Sequence, residues 1–265
     1  MCLISLRSIS YSGIKLGFSA FCIVSASLVS AMAWQSSGRT HEELVGNLFR
    51  NKVIQSTEVR DVMLMVDRRF FSKSQPYADN PVPIGYSATI SAPHMHAHAL
   101  EILKDHLKPG AHALDVGSGT GYLTACFALM VGENGLSIGI EHVPELTQLA
   151  TENVNTWMQN STAAREKRIE FGRQLQLVTG DGRQGWASGA PYDAIHVGAA
   201  APQLPEALKQ QLKVGGRLVC PVGPEYGSQE LVQVDRLSED QFHTTKLMGV
   251  MYVPLTDIHR QLRHK

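Results

Sequence analysis

Apolar residues between His41 and Phe71 recur every three to four positions, at Leu44, Val45, Leu48, Val53, Ile54, Val59, Met63 and Val66, with a break near Asn51. That spacing lines one face of a helix and the break divides it, so two short amphipathic helices are predicted. Residues 72–90 carry Pro76, Pro81, Pro83 and Gly85 without periodicity, which predicts a long irregular loop of the kind that often carries function. The pattern then changes. Short runs rich in Val, Ile and Leu at 111–116, 136–141, 175–179, 194–197 and 217–222 predict strands, most of them separated by helical stretches at 120–131, 144–158 and 204–212. Such alternation implies right-handed crossovers and an α/β fold, a doubly wound, mostly parallel sheet covered on both faces. Runs at 231–236 and 247–253 follow with no helix between them, which predicts an antiparallel, hairpin-like edge. Neither a repeat nor a linker divides residues 41–265.

Composition narrows the class. With 43% hydrophobic and 18% charged residues and only 12 prolines in 265, the chain is globular and long enough for a sizeable core. Twenty-four basic residues balance 24 acidic ones, so the broad positive field that holds nucleic acid is absent and no nucleic-acid partner is expected. Trp34, Trp157 and Trp186 are too scattered for a base-stacking platform. Cys126 and Cys220 lie in apolar runs without C-x-x-C spacing, which points to small core residues in a reducing compartment rather than to a disulfide framework.

The first forty residues differ from the rest. No acidic residue precedes His41, and Arg7 and Lys15 lead into an apolar, Ser-containing run at 16–32. A secretory signal ending at Ala31-Met32-Ala33, a mitochondrial presequence and a membrane anchor are all open, although arginines are few and serines dilute the run below a full span. The preferred reading starts the working protein at Met32, with residues 1–31 an upstream extension and residues 32–265 one domain without a membrane segment.

Candidate chemistry centres on Asp115-Val-Gly-Ser-Gly-Thr-Gly121, which closes the first strand of the alternating region and opens a helix. The glycines permit a tight turn and close approach of backbone to ligand. A dinucleotide site wants G-x-G-x-x-G, and Tyr122 stands where the last glycine belongs. G-x-G-x-G preceded by an acid suits S-adenosylmethionine better, since no pyrophosphate has to be held. Glu141, ending the next strand, can accept from a ribose diol, with His142 beside it near the adenine edge. Asp181, in Gly180-Asp181-Gly182 after the third strand, can accept from the adenine amine. Acids after three successive strands share the carboxyl edge of the sheet, where open α/β folds bind ligands.

Four longer segments carry a resemblance. They are Ala88-Thr-Ile-Ser-Ala-Pro-His-Met-His96, Asp115-Val-Gly-Ser-Gly-Thr-Gly-Tyr-Leu-Thr124, Pro191-Tyr-Asp-Ala-Ile-His-Val-Gly-Ala-Ala-Ala-Pro202 and Met251-Tyr-Val-Pro-Leu-Thr-Asp257. From about Met32 to the C-terminus the chain closely resembles the protein-L-isoaspartate (D-aspartate) O-methyltransferase family, whose animal members begin with a segment like Met32-Ala33-Trp34. The resemblance implies a Rossmann-like class I methyltransferase fold with N-terminal helices, and a monomeric cytosolic enzyme. It implies S-adenosylmethionine as donor and the α-carboxyl of L-isoaspartyl residues, less efficiently D-aspartyl ones, in proteins and peptides as acceptor. The ester then collapses to a succinimide that reopens partly as aspartate, which repairs aged protein. By the resemblance the active-site serine is Ser91, and cofactor contacts fall on Ala88, Thr89, Ile90, Ser91, His96, Thr120, Glu141, His142, Asp181, Gly182, Thr256 and Gln261. Thr120 and Glu141 stand where relatives often have Ser and Asp, and each keeps its hydroxyl or carboxylate.

The chemistry is consistent with these residues. Methyl transfer from a sulfonium is an in-line displacement, and a carboxylate of pKa ~4 is already ionised at neutral pH, so no general base is needed. Alignment and desolvation are what a site must supply. Ser91 is therefore expected to be a hydrogen-bond donor rather than a nucleophile. Residues 84–90 and 196–202 are expected to shape the acceptor slot, with 196–200 presenting small residues and backbone groups. His94, His96 and His98 alternate, yet helical geometry puts His96 off the face of the other two and no acid completes a chelate, so cap and cofactor roles are favoured over metal. An adaptor that binds cofactor without turnover is the reading from another class.

Overall fold

Thr40 and Ser56 each accept a backbone N–H three residues ahead and so cap the first two helices, α1 (His41–Arg50) and α2 (Thr57–Met65). Their apolar faces are the predicted ones, with Leu44, Val45 and Leu48 on α1 and Val59, Val62 and Met63 on α2 all buried. The computed structural model describes residues 36–225 and 227–262, and the extension 1–31 together with the Met32-Ala33-Trp34 start lies outside them.

The stretch read as a loop is only partly one. Val82–Gly85 (β1) and Ala88–Ile90 (β2) form a small antiparallel hairpin with Val82 opposite Ile90 and an irregularity between Pro83 and Gly85. The turn residues Tyr86 and Ser87 both have positive φ, 54° and 55°. A two-residue hairpin turn wants that geometry and usually takes it with Asn or Gly. With a prolyl strand and a Tyr-Ser turn, the hairpin carried neither alternation nor turn signal. Pro93 then opens α3 (Pro93–Leu103) at its first helical position.

The main sheet has seven strands, β3 (His112–Val116), β4 (Leu136–Glu141), β5 (Leu175–Thr179), β6 (Tyr192–Val197), β7 (Leu212–Val222), β8 (Gln229–Arg236) and β9 (Phe242–Val250). Their order is β5-β4-β3-β6-β7-β8-β9, parallel from β5 through β7 and antiparallel over the last two pairs. Helices α4 (Tyr122–Val131), α5 (Pro144–Asn160), α6 (Thr162–Glu166) and α7 (Glu206–Gln211) connect them, and α8 (Ile258–Leu262) ends the described chain. Side chains alternate between two cores: Ala113, Ala194 and Val219 face the one that includes α1 to α5, while Leu114, Ile195 and Leu218 face the one with Leu208 of α7. Small residues on the first face admit α4, every residue of which is buried. Strand β9 ends three residues before the predicted 253. Beyond it Val253 and Leu255 bond to Ala200, which carries the chain back across the carboxyl edge of the sheet.

Candidate active site

Everything expected to carry chemistry converges at that edge. β3 and β6 diverge in direction of connection there, β3 leading to β4 on one side while β6 lies on its other side, and the crevice so formed is where doubly wound sheets hold ligands. The turn after β3 lies across the end of β4, its Gly117 and Ser118 N–H groups donating to the Ile140 carbonyl at 2.9 and 3.2 Å. Gly119 adopts φ +52°, and a Cβ there would stand 3.4 Å from Ile84 of the hairpin, so the hairpin roofs the turn closely.

Two adjoining cavities share Thr89, Gly117 and Gly119 in their walls. The outer one, about 560 Å³, is lined by Ala88, Thr89, Glu141, His142, Asp181, Gly182, Thr256 and Gln261. The inner one, about 310 Å³, is lined by Thr89, Ile90, Ser91, His96 and Thr120. All twelve residues marked in the sequence therefore meet in one cleft, from five separate stretches of chain.

In the outer cavity Glu141 is fixed by two backbone donors, Gly119 N–H at 3.2 Å on one oxygen and Val143 N–H at 3.1 Å on the other. Asp181 accepts from the Arg183 backbone and guanidinium, at 2.7 Å from Nη2, and that guanidinium holds its carboxyl below the usual range. The Gln261 amide ties two walls together: its Oε1 accepts from His142 Nε2 at 2.9 Å and its Nε2 donates to the Tyr86 carbonyl at 2.8 Å.

Behind the inner cavity lies Arg68, which the sequence did not single out, and the cavity wall carries Asp115, Ser118 and His196 from segments that it did. Arg68, 1% exposed, donates from Nη1 to His96 Nδ1 at 3.0 Å and from Nη2 to the Ser91 carbonyl at 2.5 Å. Burial lowers its pKa to about 10. Asp115 accepts from His196 Nδ1 at 2.9 Å and from Thr124 Oγ1 at 2.7 Å, and His196 lines the same cavity. The Ser118 hydroxyl, also on its wall, is buried without a partner. His196 shares a strand face with Ala194, and period-two reading could have placed it there. For Arg68 no signal existed, since Arg68-Arg69 after α2 reads as a solvated basic pair. His94 pairs with buried Asp79 at 2.9 Å, through both its ring and its backbone N–H, which gives it the helix-end role.

The segment after β6 needs one correction. Gly198 and Ala199 line the outer cavity as expected, but the Ala200 N–H and carbonyl are taken by Val253 and Leu255, and Gly198 N–H by Val116. These three backbone groups hold the sheet edge rather than standing free for a peptide.

The donor set suits an adenosyl amino acid. Carboxylates at Glu141 and Asp181 offer acceptors to hydroxyls and an amine, the glycine turn leaves room for a chain without phosphate, and the orphaned Ser118 hydroxyl awaits a polar partner. Fold and cleft together define the class of S-adenosylmethionine-dependent methyltransferases. The sequence profile described as protein-L-isoaspartate(D-aspartate) O-methyltransferase matches residues 39–260, and the chain belongs to that family. It is 47% identical over 230 residues to the protein-L-isoaspartate O-methyltransferase of Caenorhabditis elegans, covering 87% of this chain and 98% of the relative. It is 50% identical to protein-L-isoaspartate O-methyltransferase 1 of Arabidopsis thaliana, covering 86% and 96%. A crystal structure of the Plasmodium falciparum protein-L-isoaspartate O-methyltransferase with S-adenosyl-L-homocysteine superposes with a TM-score of 0.72 at 34% identity, covering 83% of this chain and 99% of that one.

Proposed function

We propose that the chain transfers a methyl group from S-adenosylmethionine to the free carboxyl of L-isoaspartyl residues, and less efficiently D-aspartyl residues, in aged proteins and peptides. The observation that carries this reading is the convergence of twelve residues from five chain segments on one two-chambered cleft in a member of this family. The 34%-identical Plasmodium falciparum structure, in complex with S-adenosyl-L-homocysteine, supports the same donor here.

When bound, S-adenosylmethionine supplies an electrophilic methyl on sulfur. The protein's part is to bind and orient. Glu141, held by two backbone N–H groups, presents its remaining lone pairs to the ribose hydroxyls, and Asp181 with Gly182 borders the base. Ser91, whose carbonyl is anchored by Arg68, offers its hydroxyl at the inner cavity to hold the acceptor carboxylate in line. The carboxylate arrives ionised, so no side chain has to remove a proton. Ile84 and Ile90 of the hairpin, with Val253 and Leu255 opposite, give the cleft apolar walls that strip water from the nucleophile.

We read residues 32–265 as one cytosolic, monomeric domain and residues 1–31 as the upstream extension. Two cysteines buried as free thiols support a reducing compartment. Among the described residues the exposed large apolar side chains are few, Leu64 and Met65 at the end of α2 and, on other stretches, Phe171, Val214, Leu237 and Met251, which supports a monomer. No helix among the described residues is long and apolar enough to cross a membrane.

The test incubates the full chain with methyl-labelled S-adenosylmethionine and paired peptides that differ only in L-isoaspartate or L-aspartate. Base-labile label on the isoaspartyl peptide alone is expected. Binding of the donor without label on either peptide would leave the adaptor reading standing instead.

A further inference from the structure

The inner cavity rests on a buried cation that does more than anchor Ser91. Arg68 lies at the end of the stretch after α2, 1% exposed, with no carboxylate among its hydrogen-bond partners. Its guanidinium faces the Tyr122 ring at 5.3 Å, and the His96 ring lies on the same tyrosine at 4.8 Å between centroids, tilted by 36°. Its Nε is buried and unpartnered. A buried guanidinium with an unpaired N–H is costly to keep, so its two remaining bonds point to a task.

We propose that Arg68 is a positioning residue that locks His96 as the tautomer protonated at Nε2 and aims that N–H into the inner cavity, where it donates to a carboxylate, either the one on the methionine end of the donor or that of the acceptor residue. The inference rests on the methyltransferase reading for what fills the cavity, and on geometry alone for the tautomer. A guanidinium carries donors only, so the 3.0 Å contact between Arg68 Nη1 and His96 Nδ1 requires Nδ1 to be the acceptor. In the neutral ring the proton then sits on Nε2. His96 lines the inner cavity, and among the described residues no group bonds its Nε2, the ring nitrogen left to face that space. The same guanidinium holds the Ser91 carbonyl, so the Ser91 segment and the His96 donor share one buried reference point. Lysine has no planar fork to reach both.

The surroundings keep the ring neutral. His96 is faced by Arg68, by Tyr122 from α4, by His94 from its own helix with its Asp79 partner, and by His196 from β6 with its Asp115 partner. Burial first, then Arg68, His196 and His94, push His96 well below the ordinary histidine range. Second protonation would place a hydrogen on Nδ1 against the guanidinium. The ring is thus a pH-independent neutral donor across the range in which a free histidine would change charge.

The experiment is a long-range proton–nitrogen correlation on the full chain labelled with ¹⁵N-histidine, from pH 5.5 to 8, with His96 assigned by loss of its signals in His96→Gln. Expected are an unprotonated Nδ1, a protonated Nε2 and no titration. In Arg68→Lys the ring should populate the Nδ1–H form, and KM for donor or for peptide should rise about tenfold or more with kcat less affected. Which KM moves identifies the carboxylate. A protonated Nδ1 in the unaltered chain overturns the proposal, as does an Arg68→Lys enzyme with both His96 state and KM values unchanged. If Arg68→Lys does not fold, the spectrum of the unaltered chain decides alone. The spectrum is read on free protein, so absence of methyl transfer would sink the proposed function while leaving the Arg68 assignment to stand or fall by itself.

Discussion

Single atoms set the tolerances of this cleft. A Cβ on Gly182 would lie 2.5 Å from Val116 Cγ1, closer than real side chains approach, because the turn after β5 runs hard against the end of β3. Gly182→Ala must push Val116 or the Asp181 turn aside, at a cost of about 1–3 kcal/mol typical of overpacking. A lower urea midpoint with unchanged slope, together with weaker donor binding as Asp181 is displaced, is the expected outcome. Equal stability and affinity would show that the turn has slack the geometry denies. At this scale the sequence was legible where chemistry repeats a known arrangement, as with Glu141 and Asp181 after their strands. It was silent for Arg68, since burial of an arginine depends on what packs over it, and nothing adjacent to Arg68-Arg69 records that Tyr122 and His96 close on one and not the other.

Elements are joined by polar ties between parts far apart in the chain. Glu101 on α3 accepts from the Gln55 N–H, the Ser56 N–H and the Ser56 hydroxyl at 2.8, 2.8 and 2.9 Å, so one carboxylate closes the start of α2 from another helix. Those three bonds, with a Lys104 ion pair at 2.9 Å, outweigh the burial that would otherwise raise its pKa, and the carboxyl titrates below its ordinary value. Glu101→Ala strands two backbone donors and should destabilise the fold by about 2 kcal/mol, read by chemical denaturation. Because the folded pKa is depressed, the contribution is complete above the ordinary glutamate range and fades as pH falls through the folded value. The difference between the unaltered chain and Glu101→Ala should therefore narrow in acid, and a gap that widened in acid would contradict the assignment. Helices and parallel strands were legible from periodicity because each buries one stripe or a continuous run. The β1–β2 hairpin was not, since three- and four-residue strands around Tyr86-Ser87 leave no pattern to count.

At the scale of the whole molecule the two cores enclose the two thiols of the described residues completely. Cys126 belongs to the core with α1 to α5 and Cys220 to the core with α7, and both are 0% exposed. Burial pushes the Cys220 thiol up to about 12 and the Cys126 thiol higher still, so neither forms the reactive thiolate near neutral pH. In a chain carrying Cys2→Ser and Cys22→Ser, a thiol reagent at pH 8 should modify the native protein at least about a thousandfold more slowly than the unfolded one, at one rate for both sites. Fast modification of either site alone would mean that its core opens without the other. The doubly wound architecture and its antiparallel edge were readable from the alternation of runs. The departure of the chain after Val250 was not, because Met251 to Val253 are as apolar as the strand they leave.

Gln261 and Thr256 follow every strand of the sheet, yet they wall the same chamber as the turn after β3, and Gln261 links His142 to the hairpin. Synthesis proceeds from the N-terminus, and segments fold as they emerge. A nascent chain with its sheet already formed still lacks one side of the cleft while its final stretch is threaded in the ribosome. Donor binding is then acquired only once residues 256–261 have emerged, after the strands that precede them are in place.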